Sequence, residues 1–243
     1  MSFRADVKTI YHLALGPIRG ETHAERMEHF YGRQARHYDN FRQRFLLGRR
    51  ELYSSLNPPE NGLWADLGAG TGANLEAVGD GLAAACKVYL VDVAPSLLQV
   101  ARERIAARQW NNVETVEADA TVWQPPEGRL DLVTFSYSLT MIPDWFAILD
   151  HAVNLLKPGG RIGVVDFFVS RKHVETGGAR HSAITRSFWP AWFATNNVMI
   201  SADHVPYLHR RFEVEHYSEH RAKVPYVPLI RVPYYRFVGR KPV

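Results

Sequence analysis

The segment Leu63–Gly72, with the sequence LWADLGAGTG, constrains the fold of this chain more than any other stretch. A short apolar run is followed by glycines at alternate positions, Gly68, Gly70 and Gly72, and then by a pattern that predicts a helix over Gly72–Leu82. Glycine lets the backbone adopt a positive φ and approach a ligand closely. A strand, a glycine-rich turn and a helix in this order indicate a parallel α/β unit that binds a ligand at the turn.

Asp66 favours one of two kinds of ligand for this turn. The glycine spacing also fits the G-x-G-x-x-G/A fingerprint of dinucleotide-binding proteins. A carboxylate just before the turn would repel a pyrophosphate, whereas it suits the ammonium group of an amino-acid moiety. S-adenosylmethionine carries an ammonium and a sulfonium but no phosphate. The segment therefore resembles motif I of class I methyltransferases, and we expect this donor to contact Asp66, Gly68, Ala69 and Gly70.

Strands and helices are predicted to alternate from residue 63 onward. Such alternation implies right-handed βαβ units and a parallel sheet with helices on both faces. The resemblance to class I methyltransferases implies a Rossmann-like, mostly parallel sheet with an antiparallel closing strand. We expect a helix at Trp145–Leu156 and another after Pro95, with Ser96 as its cap. The predicted strands are Leu63–Leu67, Lys87–Asp92, Val113–Glu117, Leu130–Ser136, Arg161–Phe168, Phe212–Arg221 and Tyr234–Gly239.

Two regions depart from this alternation. Residues 1–56 are predicted to form an N-terminal helical extension, closed by the breaker Asn57-Pro58-Pro59, and residues 57–243 the core. An insertion at about 170–205 is polar at first and then dense in aromatic residues. An insertion before the closing strands usually shapes a substrate pocket or lid, although a plain packing extension is the alternative.

The ends of the predicted strands supply further candidate donor contacts. Ligands of open α/β sheets bind beyond the carboxyl ends of the strands. Asp92 ends the second strand about 20 residues after the glycines, where a carboxylate can accept both ribose hydroxyls. Asp119-Ala120 follow the third strand, where an acidic side chain meets an adenine amino group. We therefore add Asp92, Val93, Asp119, Ala120 and Ser136 to the predicted donor site.

Composition excludes several classes of protein. A single cysteine, Cys86, rules out a disulfide framework or a multi-cysteine metal site, and no metal is expected. No run reaches the roughly 18 apolar residues that a membrane span needs, and the N-terminus is a poor signal peptide. We expect a cytoplasmic protein. Its net charge is +4, and no acidic residue follows Glu219. This basic tail fits a solvated strand, a face toward an anionic membrane or, less well, nucleic acid.

The acceptor is harder to derive from the residues. Enzymes that methylate exocyclic base amines commonly have N/D-P-P-Y/F at the end of the fourth strand, whereas this chain has Ser136-Tyr137-Ser138. Methyl transfer from a sulfonium is an in-line displacement, so the protein must align the nucleophile and exclude water. An amine needs no strong base, and nearby tyrosines could orient it through cation–π attraction. Tyr31, Tyr38 and Tyr137 are the candidates.

Three longer segments resemble the methyltransferase component, or fused domain, of betaine-lipid synthesis. They are Thr22–Leu52, Ser187–Phe212 and Lys223–Lys241, and the likeness covers nearly the whole chain, including the opening FRADVKTIYHLALGPIRGETHAERM. The resemblance implies three successive N-methylations of diacylglycerylhomoserine at a membrane surface. It also implies that the partner activity, an aminocarboxypropyl transferase, lies elsewhere.

Further site residues follow from these resemblances. In the class I superfamily a tyrosine-aspartate pair before a helix often folds over the donor, and Tyr38-Asp39 with Arg42 is similar to that element. Tyr38 and Tyr137 are thus the expected catalytic residues, with Tyr38 and Arg42 also on the donor. The homoserine carboxylate suits an arginine fork, for which Arg42, Arg49, Arg180 and Arg186 are candidates.

Other functions remain open from the sequence. The acceptor could be another amine, such as phosphatidylethanolamine or a soluble amino acid. The chain could be a donor-binding regulatory subunit that needs a partner for activity. The sequence pI near 9.2 leaves RNA methylation as a further alternative, although no nucleic-acid partner is expected.

Overall fold

The computed structural model describes residues 20–31, 45–79, 86–174, 178–195, 197–224 and 230–243. Seven strands in these ranges form one sheet with the order β3-β2-β1-β4-β5-β7-β6. Neighbouring strands among β1 to β5 are parallel, and β7 is antiparallel to both β5 and β6. The predicted fold class is confirmed. The strands are β1 (Leu63–Leu67), β2 (Lys87–Asp92), β3 (Val113–Glu117), β4 (Leu130–Ser136), β5 (Leu156–Phe167), β6 (Glu213–Lys223) and β7 (Arg231–Arg240).

Helices cover both faces of the sheet. Within the described ranges they are α1 (His23–Tyr31), α2 (Arg49–Ser55), α3 (Pro95–Arg108), α4 (Trp145–Leu155), α5 (Ala183–Ala194) and α6 (His204–Arg211). Side chains alternate along each central strand, so that Trp64 packs in one apolar cluster with α2 and α5. The next residue, Ala65, packs in a second cluster with α4 and α6. None of the helices in the described part of the chain is long and apolar enough to cross a bilayer.

The helix predicted over Gly72–Leu82 is shorter than expected. A 3₁₀ helix spans Ala73–Ala77, and the chain leaves it through Val78. Gly72 and Gly79 have φ angles of +67° and +82°, outside the right-handed helical region at both ends of the segment. Residues 80–85, where the prediction continued, lie outside the described residues.

Strand β5 begins at Leu156, five residues before the predicted start at Arg161. The pairing with β4 jumps from Leu130↔Leu156 to Leu132↔Arg161, so the intervening residues form a bulge. Gly159, with φ +74°, makes the turn within that bulge. The sequence Lys157-Pro158-Gly159-Gly160 predicts a stop, and here it interrupts pairing without ending the strand.

The start of α3 also differs from the prediction. The helix begins at Pro95 with Ala94 as its N-cap, so Ser96 is already the second helical residue and caps nothing. Glu28 of α1 supplies the missing acceptor: its Oε2 accepts from the Ser96 backbone N–H at 3.1 Å and from its hydroxyl at 2.8 Å. Met27 of α1 packs beside Leu97. These contacts hold α1 against α3 at the carboxyl edge of the sheet.

The insertion predicted at about 170–205 contains α5 and ends at the start of α6. Ser182 caps α5, its hydroxyl accepting from the Thr185 N–H at 3.2 Å. Two aromatic residues of α5, Trp189 and Phe193, are buried. The Met199 N–H donates to the Thr140 carbonyl, which ties the following loop to the segment after β4. The insertion therefore lies against the carboxyl end of the sheet.

Candidate functional site

A cavity of about 380 Å³ lies at the carboxyl ends of β1, β2, β3 and β4. Residues that follow each of these strands line it, as expected for an α/β sheet whose strand order reverses at β1 and β4. Helix α1 adds Arg26 and Met27 from the N-terminal extension. The other lining residues are Gly68, Gly70, Asp92, Val93, Leu97, Ala118, Asp119, Ala120, Thr121, Tyr137, Ser138, Met141, Ile142, Pro143 and Asp144.

The glycine turn after β1 is held in place by the neighbouring strands. The N–H groups of Gly68 and Ala69 both donate to the Val91 carbonyl, at 2.9 and 3.1 Å. Gly68 has φ +72°, and a Cβ atom added there would lie 2.5 Å from the Cβ of Ser138. The Ser138 hydroxyl in turn donates to the Leu67 carbonyl at 2.9 Å. Any side chain at position 68 would therefore collide with the wall after β4.

Two carboxylates predicted to bind the donor lie on the cavity. Asp92 is half-buried, and its two oxygens accept from the backbone N–H groups of Gly70 at 2.8 Å and Ala94 at 2.9 Å. It therefore fixes the glycine turn to the start of α3. Asp119 is exposed, and its Oδ1 accepts from the N–H and the hydroxyl of Thr121 at 2.9 and 2.7 Å. Both carboxylates are thus oriented by short local hydrogen bonds.

Asp66 does not line the cavity. It is fully buried on the α2 side of β1, where its Oδ1 accepts from the Tyr53 hydroxyl at 2.6 Å and the Thr134 hydroxyl at 2.8 Å. Asn74 lies 3.5 Å from the other oxygen. Burial and the neighbouring Asp66 carboxylate raise the pKa of Tyr53 well above its usual value. Asp66 is therefore not among the described residues that line the cavity, and its contact with the donor stays a prediction.

Ser136 and Ala69 also lie behind the cavity wall. Ser136 is buried as the last residue of β4, and its hydroxyl has no hydrogen-bond partner within the described residues. Ala69 is buried beneath the glycine turn. The wall begins one residue after β4, with Tyr137 and Ser138, because pairing of Ser136 with Val165 keeps it inside the sheet. Ser136 is therefore corrected from a lining residue to one that supports the wall.

Tyr137 lies at the end of β4 in an unusual backbone conformation. Its φ of +55° is rare for a residue with a side chain and is typical of functional sites. Its hydroxyl donates to the Leu47 carbonyl at 2.6 Å, and its ring packs 4.6 Å from that of Phe167. Burial raises the pKa of Tyr137 well above its usual value, and Asp166 adds to the effect. The Tyr137 hydroxyl is therefore protonated and engaged as a hydrogen-bond donor to Leu47.

Several predicted residues lie outside the described part of the chain. Tyr38 and Arg42 fall within residues 32–44, and the Tyr31 side chain is likewise not described. Of the other arginine candidates, Arg49 donates from its Nε to the Leu46 carbonyl at 3.0 Å. Arg49, Arg180 and Arg186 do not line the cavity. Donor contact by Tyr38 and Arg42, orientation of the amine by Tyr31 and binding of the acceptor carboxylate by one of the arginines stay predictions.

Sequence reasoning missed the lining residues from α1 and from the segment after β4. Arg26 donates to the Glu21 carbonyl at 2.9 Å and lines the cavity. Asp144 is exposed as the N-cap residue of α4. An acidic residue before the predicted helix at Trp145 was a readable signal for Asp144, whereas no local pattern reports that α1 lies against β2 and α3.

The cavity has an acidic lining. Among the described residues that line it, there are three carboxylates, Asp92, Asp119 and Asp144, and one guanidinium, Arg26. A narrow cleft lined by one sign of charge attracts ligands of the opposite sign. No cluster of metal-ligating side chains occurs in the described ranges. The residues present therefore suit a cationic organic ligand.

The domain around this cavity matches known methyltransferases. Residues 65–160 match the family model described as "Methyltransferase domain". A demethylmenaquinone methyltransferase from Geobacillus sp. (strain WCH70) is 26% identical over 143 residues, which are 57% of this chain and 61% of that protein. The chain thus spans about 60% of the length of the curated relatives it matches.

Solved structures share the fold at low sequence identity. The N-methyltransferase NodS from Bradyrhizobium japonicum WM9, in complex with S-adenosylhomocysteine, superposes with a TM-score of 0.58 at 14% identity. That match covers 85% of this chain and 87% of NodS. The [4+2]-cyclase SpnF has a TM-score of 0.57 at 18% identity, covering 99% and 94%. The chain therefore shares its fold with these solved structures and contains a segment that matches a methyltransferase domain. The fold alone leaves the acceptor open.

Proposed function

We propose that the chain transfers methyl groups from S-adenosylmethionine to the amine of a lipid head group, most specifically that of diacylglycerylhomoserine. The observation that supports an amine acceptor is the charge of the cavity lining within the described residues, which comprises three carboxylates and one guanidinium, with Tyr137 on the same cavity. A donor with two positive charges and an amine that becomes an ammonium both suit this lining. A phosphate-rich nucleic acid does not.

The residues on the cavity fit such a donor. Asp92 would accept from the ribose hydroxyls while it also holds Gly70, and Asp119-Ala120 would meet the adenine. Gly68 and Gly70 leave room for the amino-acid end beside β1, because neither has a side chain. When bound, the donor supplies an electrophilic methyl group on a sulfonium.

The protein's contribution to the transfer is alignment and exclusion of water. The wall formed by Tyr137, Met141 and Ile142 would hold the acceptor opposite the sulfonium. The Tyr137 hydroxyl is engaged with Leu47, so its ring, and not its proton, is the part that would act on an ammonium. Asp144 at the cavity mouth would add charge stabilisation as the product ammonium forms.

The homoserine lipid is proposed from the resemblance of the segments that flank the methyltransferase domain. Those segments include α1, most of α5, α6 and the strand β7, which lie outside residues 65–160. Such flanks shape the acceptor side of the site, while the glycine turn serves the donor. Three successive methylations need no base for the last step, since a tertiary amine has no proton to lose.

A quinone acceptor is the second candidate. The curated relatives that the chain matches over 57% of its length are named demethylmenaquinone methyltransferases. Methylation at a ring carbon requires removal of a proton from the acceptor, and no histidine lines the cavity among the described residues. Asp92, Asp119 and Asp144 are the available carboxylates on its described wall.

The acceptor can be tested with labelled S-adenosylmethionine and the purified chain. The panel is diacylglycerylhomoserine, phosphatidylethanolamine, a demethylmenaquinone, free amino acids and bulk RNA, and Asp92→Ala is the control that ties any label to this cavity. We expect homoserine lipid with one, two and then three methyl groups, detected by mass spectrometry. Label confined to the quinone, to phosphatidylethanolamine or to RNA would overturn the proposed acceptor. Tight donor binding with no labelled acceptor would favour a regulatory subunit.

A further inference from the structure

Helix α5 exposes an apolar stripe. Ile184, Phe188 and Trp192 lie four residues apart, on one face of the helix, and are 79%, 39% and 42% exposed. The rings of Phe188 and Trp192 contact each other with centroids 5.4 Å apart. The remaining exposed residues of the helix are alanine and serine, and Met199 extends the surface beyond the helix at 51% exposure. We call Ile184, Phe188, Trp192 and Met199 the α5 stripe.

The opposite face of α5 anchors the helix to the wall of the cavity. Phe193 packs 5.0 Å from Phe167, and Phe167 packs 4.6 Å from Tyr137, measured between ring centroids. Tyr137 lines the cavity. A chain of aromatic contacts from Phe193 through Phe167 to Tyr137 therefore connects α5 to the cavity, and the α5 stripe lies on the opposite, exposed face of the helix.

Four exposed basic residues lie before α5 and on the strands β6 and β7. Arg180, Arg221, Lys223 and Arg231 are all exposed, and none has a carboxylate partner within the described residues. We call these four residues the basic rim. The sequence contains no acidic residue between Glu175 and Asp203, the segment that includes α5.

The position of the rim follows from the sheet register. Phe167 at the carboxyl end of β5 pairs with Tyr234, and the pair Lys223↔Arg231 lies further along the β6–β7 ladder, beyond that end. Ala222 and Val232 pack in the same apolar cluster as Trp189 and Phe193. The basic rim and the α5 stripe are thus neighbours on the cavity side of the sheet.

We propose that the α5 stripe and the basic rim together dock the protein on an anionic bilayer surface. Aromatic and aliphatic side chains on one face of a helix enter the boundary between head groups and acyl chains, while flanking lysine and arginine side chains are attracted to anionic lipids. The purpose of this docking rests on the proposed function, because it would bring the cavity to a lipid head group that remains in the bilayer.

The charge pattern distinguishes a bilayer from a second copy of the chain. Two copies that met through this same face would bring their basic rims together, and like charges placed opposite each other are destabilising. A surface with exposed apolar side chains on one helix and exposed basic residues near it complements a layer of anionic head groups over acyl chains.

Flotation of the full chain with lipid vesicles tests the docking surface. The vesicles contain phosphatidylcholine alone or phosphatidylcholine with phosphatidylglycerol. We expect binding to the anionic vesicles that weakens with salt, a loss of at least tenfold for Ile184→Ser with Trp192→Ser, and about fivefold for each of Lys223→Glu and Arg231→Glu. Two control variants lie away from the docking surface, at the amino ends of β6 and β4: Val214→Ser and Arg129→Glu. Both should bind as the wild type does.

Affinity for S-adenosylhomocysteine, measured on every variant, reports whether the fold and the cavity are intact. Equal binding to neutral and anionic vesicles, or no effect of the stripe variants, would overturn the proposal. A dimer in sedimentation experiments that Trp192→Ser dissociates would assign the stripe to a second copy instead. Because flotation needs no turnover, vesicle binding that persists while the homoserine lipid is not methylated would contradict only the proposed acceptor.

Discussion

Gly68→Ala is the substitution whose effect the structure specifies most sharply. Gly68 has φ +72°, and the added Cβ would lie 2.5 Å from the Cβ and 3.1 Å from the hydroxyl oxygen of Ser138. Ser138 has little freedom to move, because its hydroxyl donates to the Leu67 carbonyl and it follows Tyr137, whose backbone is also in the left-handed region. The substitution therefore combines backbone strain with a collision in the wall of the proposed donor cavity.

The two contributions can be separated. A side chain in the left-handed region costs about 1–2 kcal/mol, and overpacking of a rigid wall costs a further 1–3 kcal/mol or so. Gly159→Ala is the matched control, because Gly159 has φ +74° and open space around the added Cβ. We expect Gly159→Ala to lower the free energy of unfolding by the backbone cost alone, and Gly68→Ala by about 2–5 kcal/mol.

Urea unfolding and calorimetric titration with S-adenosylhomocysteine provide the two readouts. Gly68→Ala should weaken the binding of this ligand at least about tenfold, since the turn must shift away from Ser138. Gly159→Ala, at the opposite edge of the sheet, should bind as the wild type does. Equal unfolding free energies and equal affinities for the two variants would refute the steric argument and the placement of the donor on this turn.

Three further substitutions test other parts of the account. Asp92→Ala should weaken S-adenosylhomocysteine binding by about 10–100-fold through loss of charge-assisted hydrogen bonds, whereas Glu117→Ala, also at a strand end, should leave the calorimetric affinity unchanged. Tyr137→Phe should retain activity within about tenfold and keep the pH profile of the reaction. The reason is that the Tyr137 hydroxyl donates its hydrogen bond to the Leu47 carbonyl and takes no proton in the reaction. A loss of activity of several hundredfold would contradict this. Burial raises the pKa of Asp166 to about 7. Between about pH 4 and 7 the folded state therefore keeps a proton that the unfolded chain releases. The free energy of unfolding should accordingly fall by up to about 1.4 kcal/mol per pH unit as the pH rises through this range. Asp166→Asn should flatten that slope in unfolding experiments, and an unchanged slope would rule out this carboxyl as its source.

The central strands were predictable because their sequences carry local signals. β1, β2 and β4 are short, largely apolar runs that end at or just before glycine, aspartate or serine, whereas β3 alternates between valine or threonine and glutamate. The bounds of all four strands agree with those expected. The order of these runs along the chain also implies the parallel sheet and its antiparallel closure. The fold class followed from periodicity and spacing alone, before any side-chain contact was known.

The elements that differ depend on contacts made by residues distant in sequence. Glu28 of α1 performs the capping expected of Ser96, and only the packing of α1 on α3 brings the two together. The bulge at Gly159 keeps β5 paired where the Pro-Gly-Gly sequence predicts a stop. Local propensity does not report either interaction.

The residues that follow the strands were predictable as neighbours of the cavity, whereas the side chains inside the strands were not predictable as part of its wall. Asp92 and Asp119 lie on the cavity because the residue after a parallel strand is at the ligand edge of the sheet. Asp66 and Ser136 lie within strands, where the alternation of side chains and the pairing of neighbours decide their direction. A one-residue difference at the end of β4 separates the buried Ser136 from Tyr137 on the wall.

A crystal structure of the chain with S-adenosylhomocysteine tests the central claim most directly, namely that the cavity at the carboxyl ends of β1 to β4 is the methyl-donor site. We predict the ribose hydroxyls on Asp92, the adenine beside Asp119-Ala120, and the sulfur facing Tyr137. A ligand bound outside this cavity, or one whose ribose makes no contact with Asp92, would contradict the account.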